Sequence, residues 1–450
     1  MYNNSTDLNK SFLSIDLIKA DESPKASEIY KFSDLDIGTM NMYLRGTWIY
    51  NSLLDIEQLK SSLGKLLSFY PHLAGRITHD KTGVAHVNKG VPFIVREDWE
   101  TSVNDIQKTE EWGNRFTTPL NFDDMKKGKI APINFTITFL KDGTVLSVQC
   151  SHSFVDGGSF YGLIDEWGKL NRGEKITKPY IDQSLFEVEQ TISKDEIKQT
   201  VMDMGWKKVT LGTAIKMLSM SKIGIFDIKT RPFYFSPEAI ERLKDKISLE
   251  SGFKCSSNIA LSAFIGKMYM ILNNLPPEEK YTEAVVVNLR NRFEGIPGNF
   301  FGNASTAIPT GEFDRSSSLS EIAKVIHDSL MPMLRGSSKN VTDFFRLNLA
   351  AMGVHLPYTS MDLNSINAKQ PQSFYNNNFS KLPIYTVDFG TGEPIMVIPH
   401  NITNHQMLIW PVSSSVKDGV EVYFSGNFAR LVNKLKEDDP WLLMMKKYEK

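Results

Sequence analysis

Apolar side chains at every second position, Ile133, Phe135, Ile137 and Phe139, then Asp142-Gly143, then Leu146, Val148 and Cys150, constrain this chain more than any other feature it carries. Such alternation marks strands with one face turned to a core. Asp-Gly between two such runs predicts a tight hairpin whose central residues take positive φ. If the second strand persists, His152 extends its inner face. Asp156-Gly157-Gly158-Ser159 then breaks the strand and provides an N-cap for a helix carrying Phe160, Leu163, Ile164 and Trp167 at helical spacing. A histidine is therefore expected where a strand ends and a loop leads into a helix, a place from which side chains face a cleft.

The same two periods alternate along the chain, which predicts an α/β (α+β mixed) fold. Leu59, Leu63, Leu66 and Leu67 lie at helical spacing and Pro71 ends that helix. Ser256 and Ser257 cap a helix carrying Ile259, Phe264 and Met268, and Ala284 to Val287 reads as a buried strand. Leu408 to Val412 and Val420 to Phe424 flank Lys417-Asp418-Gly419 as a further hairpin. A chain of 450 residues that is 41% hydrophobic has core enough for two lobes, at roughly 150 residues per domain. Periodicity weakens between Ser193 and Ser221. The expected division is therefore an N-terminal lobe at 1–195, a crossover segment at 196–221 and a C-terminal lobe at 222–450.

Charge narrows the partners. Lys and Arg total 51 against 52 Asp and Glu, so nothing steers the chain toward nucleic acid. No run approaches the roughly 20 apolar residues of a spanning helix, and Met1 to Lys10 lacks the basic and apolar regions of a secretory signal. Cys150 and Cys255 allow no disulfide framework. A cytoplasmic protein without membrane or nucleic-acid partners is expected.

His152 can be read as a core histidine hydrogen-bonded at a strand end or as a residue that carries chemistry. A neutral imidazole near pH 7 can take a proton from an acceptor that attacks a carbonyl. Cys150, two positions earlier, raises a covalent alternative, but on the apolar face of a core strand a thiol is ordinarily a small hydrophobe. The remaining histidines show no ligand spacing, so no metal site is expected, and there is no phosphate-binding glycine loop.

His152-Ser-Phe-Val-Asp156-Gly157 and Asp388-Phe389-Gly390-Thr391-Gly392 resemble the two signature motifs of the BAHD acyltransferases, HxxxDG and DFGWG, in the family's order. Leu59 to Arg76, Ser159 to Gly173, Ser256-Ser257 with its helix, Asn288-Leu-Arg290 and Phe301-Gly302-Asn303-Ala304 match further blocks of that family, so the resemblance spans most of the chain. It implies two lobes like those of chloramphenicol acetyltransferase, each a mixed β-sheet with flanking helices, and an active-site channel between them. The implied enzyme is a monomer that moves an acyl group from acyl-CoA, its co-substrate, to a hydroxyl or amine of a small-molecule acceptor, with no tightly bound cofactor.

Carried onto this sequence, the resemblance makes His152 the general base, while Asp388, named with it as a catalytic candidate, belongs to a motif that in relatives is remote from the reacting atoms and mainly structural. Asp156, Gly157, Arg290, Gly390 and Gly392 become structural supports, with Asp156 turned toward Arg290. Thr391 stands where the family has Trp. Asn377-Asn378-Phe379 stands where relatives have Thr-Ser-Trp, which makes Asn377 the candidate oxyanion donor. Lys254, Ser256 and Ser257, at a helix start, are candidates for coenzyme A phosphates. A condensation-domain-like enzyme using a carrier-protein thioester, which ordinarily carries a second histidine where Ser151 stands, and an inactive ligand-binding homologue are the alternatives.

Overall fold

The computed structural model describes residues 12–108 apart from 34, 35 and 38, then 115–186, 232–335 apart from 273, 293 and 294, 373–399, 406–413 and 418–424, with scattered residues between 193 and 212 and at 358–359 and 436. The chain forms two compact units. One comprises Met1–Glu187, Ile296–Ala304 and Leu382–Asn401, and the other Val188–Gly295, Ser305–Lys381 and Ile402–Lys450. Most of the expected crossover at 196–221 lies outside the described residues.

The first unit is built on a six-stranded mixed sheet, in the order Phe12–Ile18, Val91–Asp98, Ile133–Leu140, Thr144–Ser151, Tyr43–Tyr50 and Met396–Pro399. Only Val91–Asp98 and Ile133–Leu140 run parallel. Every residue of Thr144–Ser151 is buried, so both faces of this strand are covered. The helices Ile56–Phe69 and Gly157–Asn171 pack together, and Trp167 ties them: its Nε1 donates to Ser62 Oγ at 3.0 Å while its ring meets Phe135 of the sheet at 5.1 Å. Burying an aromatic side chain of this size contributes about 2–3 kcal/mol.

One local expectation needs correction. Neither Asp142 nor Gly143 adopts positive φ. Leu140 N donates to Gly143 O at 2.8 Å, and Gly143 is needed because a Cβ there would lie 2.1 Å from Tyr50 O. The helix after the His152 loop starts at Gly157, and its N-cap is Asp156, whose Oδ1 accepts from Ser159 N at 2.8 Å. Ser159 is inside the helix.

The segment 222–450 does not run as one block. Leu382–Asn401, with Asp388, Gly390 and Gly392, packs in the first unit, because Met396–Pro399 pairs with Tyr43–Tyr50 and two buried aromatics hold the approach to it. Trp48 Nε1 donates to Ile384 O at 2.9 Å and Tyr50 Oη to Val387 O at 3.0 Å.

The second unit carries its own six-stranded mixed sheet: Phe233–Phe235, Val420–Phe424, Gln406–Pro411, Ser373–Asn378, Thr282–Asn288 and Ser305–Pro309. The helices Pro237–Ser251, Ser257–Leu272 and Leu319–Arg335 pack on one another. Ser256 Oγ accepts from Ile259 N at 3.3 Å, as a cap should, and Ala284 to Val287 lies in a buried strand, as expected. Asn258, Ser262 and Gly266 line one face of the Ser257–Leu272 helix. Asn378 Nδ2 donates to Asn258 Oδ1 at 2.9 Å, Asn376 Nδ2 donates to Ser262 Oγ, and a Cβ at Gly266 would lie 2.5 Å from the buried Glu283 carboxylate. Strand alternation therefore turns Asn377 to the opposite face.

Candidate active site

The strand ends at Ser151, so His152 opens the loop instead of extending the strand's inner face. Its N–H donates to Met42 O at 2.9 Å. Its ring is held by Asn303, whose Oδ1 lies 3.0 Å from His152 Nδ1 and whose Nδ2 donates to His152 O at 2.7 Å. Removal from water pushes the imidazolium below its ordinary range, while its own main-chain carbonyl, Asp156 and Asn303 oppose that in part, so the neutral ring prevails near pH 7. A neutral imidazole with Nδ1 on Asn303 Oδ1 presents a bare Nε2, which is what a base requires.

The segment Gly302–Ala304 is stapled to this loop. Asp156 N donates to Gly302 O at 3.3 Å, and Ser159 Oγ donates to Gly302 O at 2.9 Å while accepting from Gly302 N at 3.0 Å. Asp156 uses its second oxygen, Oδ2, to accept from Ala304 N at 2.9 Å. Gly302 sits at φ 139, and a Cβ would meet Gln183 Nε2 at 2.4 Å, so only glycine fits. Asp36 completes the cluster. Fully buried, it accepts from Asn303 Nδ2 at 2.7 Å through Oδ1 and from Ser33 N and Oγ, both at 2.8 Å, through Oδ2.

The remaining candidates fall in several places. No described hydrogen bond joins Asp388 to the His152 loop. Its Oδ1 accepts from Gly390 N at 2.7 Å and Gly392 N at 2.9 Å, the glycines standing at φ 94 and 100. Its carbonyl accepts from Arg172 Nη1, and Phe389 packs on Trp167 at 4.8 Å. This is the geometry of a loop organiser, the mainly structural role expected of the motif. Thr391 is exposed, so the missing family Trp leaves no hole in the core. Gly157 is the first residue of its helix.

In the second unit, Arg290 is half-buried, and its Nη1 donates to Asn288 Oδ1 at 3.2 Å. Asn377 is half-buried, and no hydrogen bond of its side chain is described, whereas Asn376 and Asn378 are engaged by the helix. Lys254, Ser256 and Ser257 are exposed at the helix start. Cys150 is fully buried, and burial pushes its thiol up, which disfavours a thiolate nucleophile there. Ser151, where a condensation domain would carry a second histidine, is buried and shares a hydrogen bond with Ser153 Oγ at 2.9 Å. Among the described residues no three His, Cys, Asp or Glu side chains group as a metal site.

Sequence reasoning missed two residues of this cluster. Asn303 was inside a recognised block without a role, and Asp36 carried no signal beyond a serine three residues earlier.

A model of the Transferase family matches residues 12–432. Hydroxycinnamoyltransferase 1 of Oryza sativa subsp. japonica is 25% identical over 385 residues, covering 81% of this chain and 82% of that protein. The structure also resembles that of vinorine synthase, with a TM-score of 0.69 at 20% identity over 95% of this chain and 97% of that one. It resembles F. graminearum TRI101 complexed with coenzyme A and T-2 mycotoxin, with a TM-score of 0.71 at 15% identity over 93% and 99%. These likenesses bear out the mixed α/β fold of two chloramphenicol-acetyltransferase-like units.

Proposed function

The chain belongs to the Transferase family, the BAHD acyltransferases, and on that premise we propose that His152 is the general base of an acyl transfer. The reaction class is that of the family: an acyl group passes from acyl-CoA, the co-substrate, to a hydroxyl or amine. His152 Nε2 takes the proton of the acceptor O–H or N–H as the oxygen or nitrogen attacks the thioester carbonyl. The tetrahedral intermediate collapses with cleavage of the C–S bond, and the imidazolium returns its proton to the departing thiolate. The transfer we propose is direct, without an acyl-enzyme, and burial of Cys150 supports that reading.

The observation that carries this reading is the hydrogen bond of 3.0 Å between His152 Nδ1 and Asn303 Oδ1, which leaves Nε2 free. Asn377 is our candidate donor to the developing oxyanion, and Lys254, Ser256 and Ser257 are our candidates for the coenzyme A phosphates. We take the enzyme to be a cytoplasmic monomer with small-molecule acceptors. No described helix is long and apolar enough to cross a membrane.

The test is thiol release from acyl-CoA with a panel of alcohols and amines. Loss of a general base lowers turnover by about two to four orders of magnitude, so His152→Ala should lose that much while still binding coenzyme A. Wild-type turnover in that variant would sink the reading.

A further inference from the structure

We propose that Asp36 and Asn303 are positioning residues that decide which nitrogen of His152 carries the proton. The inference rests on the base role proposed for His152 and concerns how that base is kept competent.

A carboxamide has one donor end and one acceptor end. The Asn303 nitrogen lies 2.7 Å from Asp36 Oδ1 and 2.7 Å from His152 O. A main-chain carbonyl only accepts, and an ionised carboxylate only accepts. The flipped amide would set its oxygen against both, so the NH2 group must face them. Asp36 is itself fixed, because its Oδ2 takes the N–H and the hydroxyl of Ser33 at 2.8 Å each. Burial pushes its carboxyl up only to about 6, so it is ionised at neutral pH. With the amide locked, Asn303 Oδ1 faces His152 Nδ1 at 3.0 Å, and only a protonated Nδ1 makes that bond. The lone pair is then left on Nε2.

An amide at position 36 reverses this logic. In Asp36→Asn the carbonyl oxygen stays on the Ser33 N–H and the new NH2 group faces Asn303, which receives it by turning its own oxygen toward residue 36 and giving up its bond to His152 O. Asn303 then offers NH2 to His152 Nδ1, and the proton moves to Nε2. Replacing a carboxylate by an amide in the Ser-His-Asp triad of serine proteases lowers turnover about ten-thousandfold through the same tautomer error.

The experiment is nitrogen NMR of protein labelled with 15N-histidine, with His152 assigned by its absence in His152→Ala, alongside steady-state kinetics. The wild type should show Nδ1–H. Asp36→Asn should show Nε2–H, with a turnover number lower by roughly tenfold to a thousandfold and unchanged Michaelis constants. Ser33→Ala, which leaves both acceptors in front of the Asn303 amide, should keep the wild-type tautomer. Nε2–H in the wild type overturns the proposal whether or not any variant folds, and so does retention of Nδ1–H, or of turnover within about twofold, in folded Asp36→Asn. Because the tautomer is read without turnover, failure here is distinct from failure of the base role, which His152→Ala tests.

Discussion

The main-chain N–H of Ala304 donates to Oδ2 of Asp156 at 2.9 Å, across a sequence separation of 148 residues. The other oxygen of the same carboxylate caps the helix Gly157–Asn171 through Ser159 N. Asp156 therefore holds Gly302–Ala304, and with it Asn303, against His152. Asp156→Asn can keep only one of the two bonds, since its NH2 group would meet a donor. A buried donor left unpaired costs about 1–3 kcal/mol. We expect a lowered melting temperature and a turnover number down roughly tenfold or more. If Asp156 and Arg290 act as one unit, Arg290→Ala in the Asp156→Asn background should add little, and full additivity of the two losses would separate them.

A second prediction concerns acid. His72 is fully buried, stacked on Tyr30 at 4.5 Å and in line with Phe154 of the His152 loop, and its ring nitrogens have no hydrogen-bond partner among the described residues. Burial lowers it from 6.5 to about 3. The folded state thus holds His72 neutral while the unfolded chain protonates it below pH 6.5. Its contribution is present above that pH and is lost as pH falls toward 3. Asp36, raised from 3.8 to about 6, acts in the opposite sense: its contribution is full below 3.8 and lost as pH rises through 6. His72→Phe keeps the stacking and removes the proton site. Relative to its effect at pH 7.5, it should gain about 2 kcal/mol over the wild type at pH 5. Parallel denaturation curves of equal spacing at the two values would refute the assignment.

Asn377 is tested through rates. Its neighbours Asn376 and Asn378 are committed to the helix Ser257–Leu272, so of the three asparagines it alone has a side chain without a described hydrogen bond. One oxyanion donor contributes on the order of 3 kcal/mol. Asn377→Ala should then lower the turnover number about a hundredfold with little change in the Michaelis constant. Unchanged kinetics would place the donor elsewhere.

Much of the scaffold was legible because its causes are local. The alternation from Ile133 to Cys150 produced the two strands, and the spacing from Phe160 to Trp167 produced the helix, as expected. Legibility failed where tertiary contacts set the geometry. The Asp142-Gly143 turn is governed by the approach of Tyr50, which no local pattern announces. The Asn303 role depends on Asp36, separated from it by 267 residues, and burial of a carboxylate can be read only from what surrounds it. Asp388 could be recognised in its motif, but its assignment to the first unit follows from pairing of Met396–Pro399 with Tyr43–Tyr50, a contact of high sequence separation.

That pairing motivates the last prediction. Asp388 Oδ1 alone accepts from both Gly390 N and Gly392 N, and the turn so formed seats Phe389 against Trp167 and Tyr50. Gly168 must lack a side chain to let the turn approach, since a Cβ would lie 2.7 Å from Asp388 O. An amide oxygen can accept the same two bonds, so Asp388→Asn should keep stability and turnover near wild type. Asp388→Ala loses both acceptor contacts at an exposed turn and should cost about 1–2 kcal/mol of stability, while the fraction that remains folded turns over normally. Gly168→Ala should destabilise in the same way. Thermal melts read against turnover per folded enzyme decide the matter: an Asp388→Asn protein with wild-type melting and a hundredfold lower turnover would return Asp388 to the catalytic set.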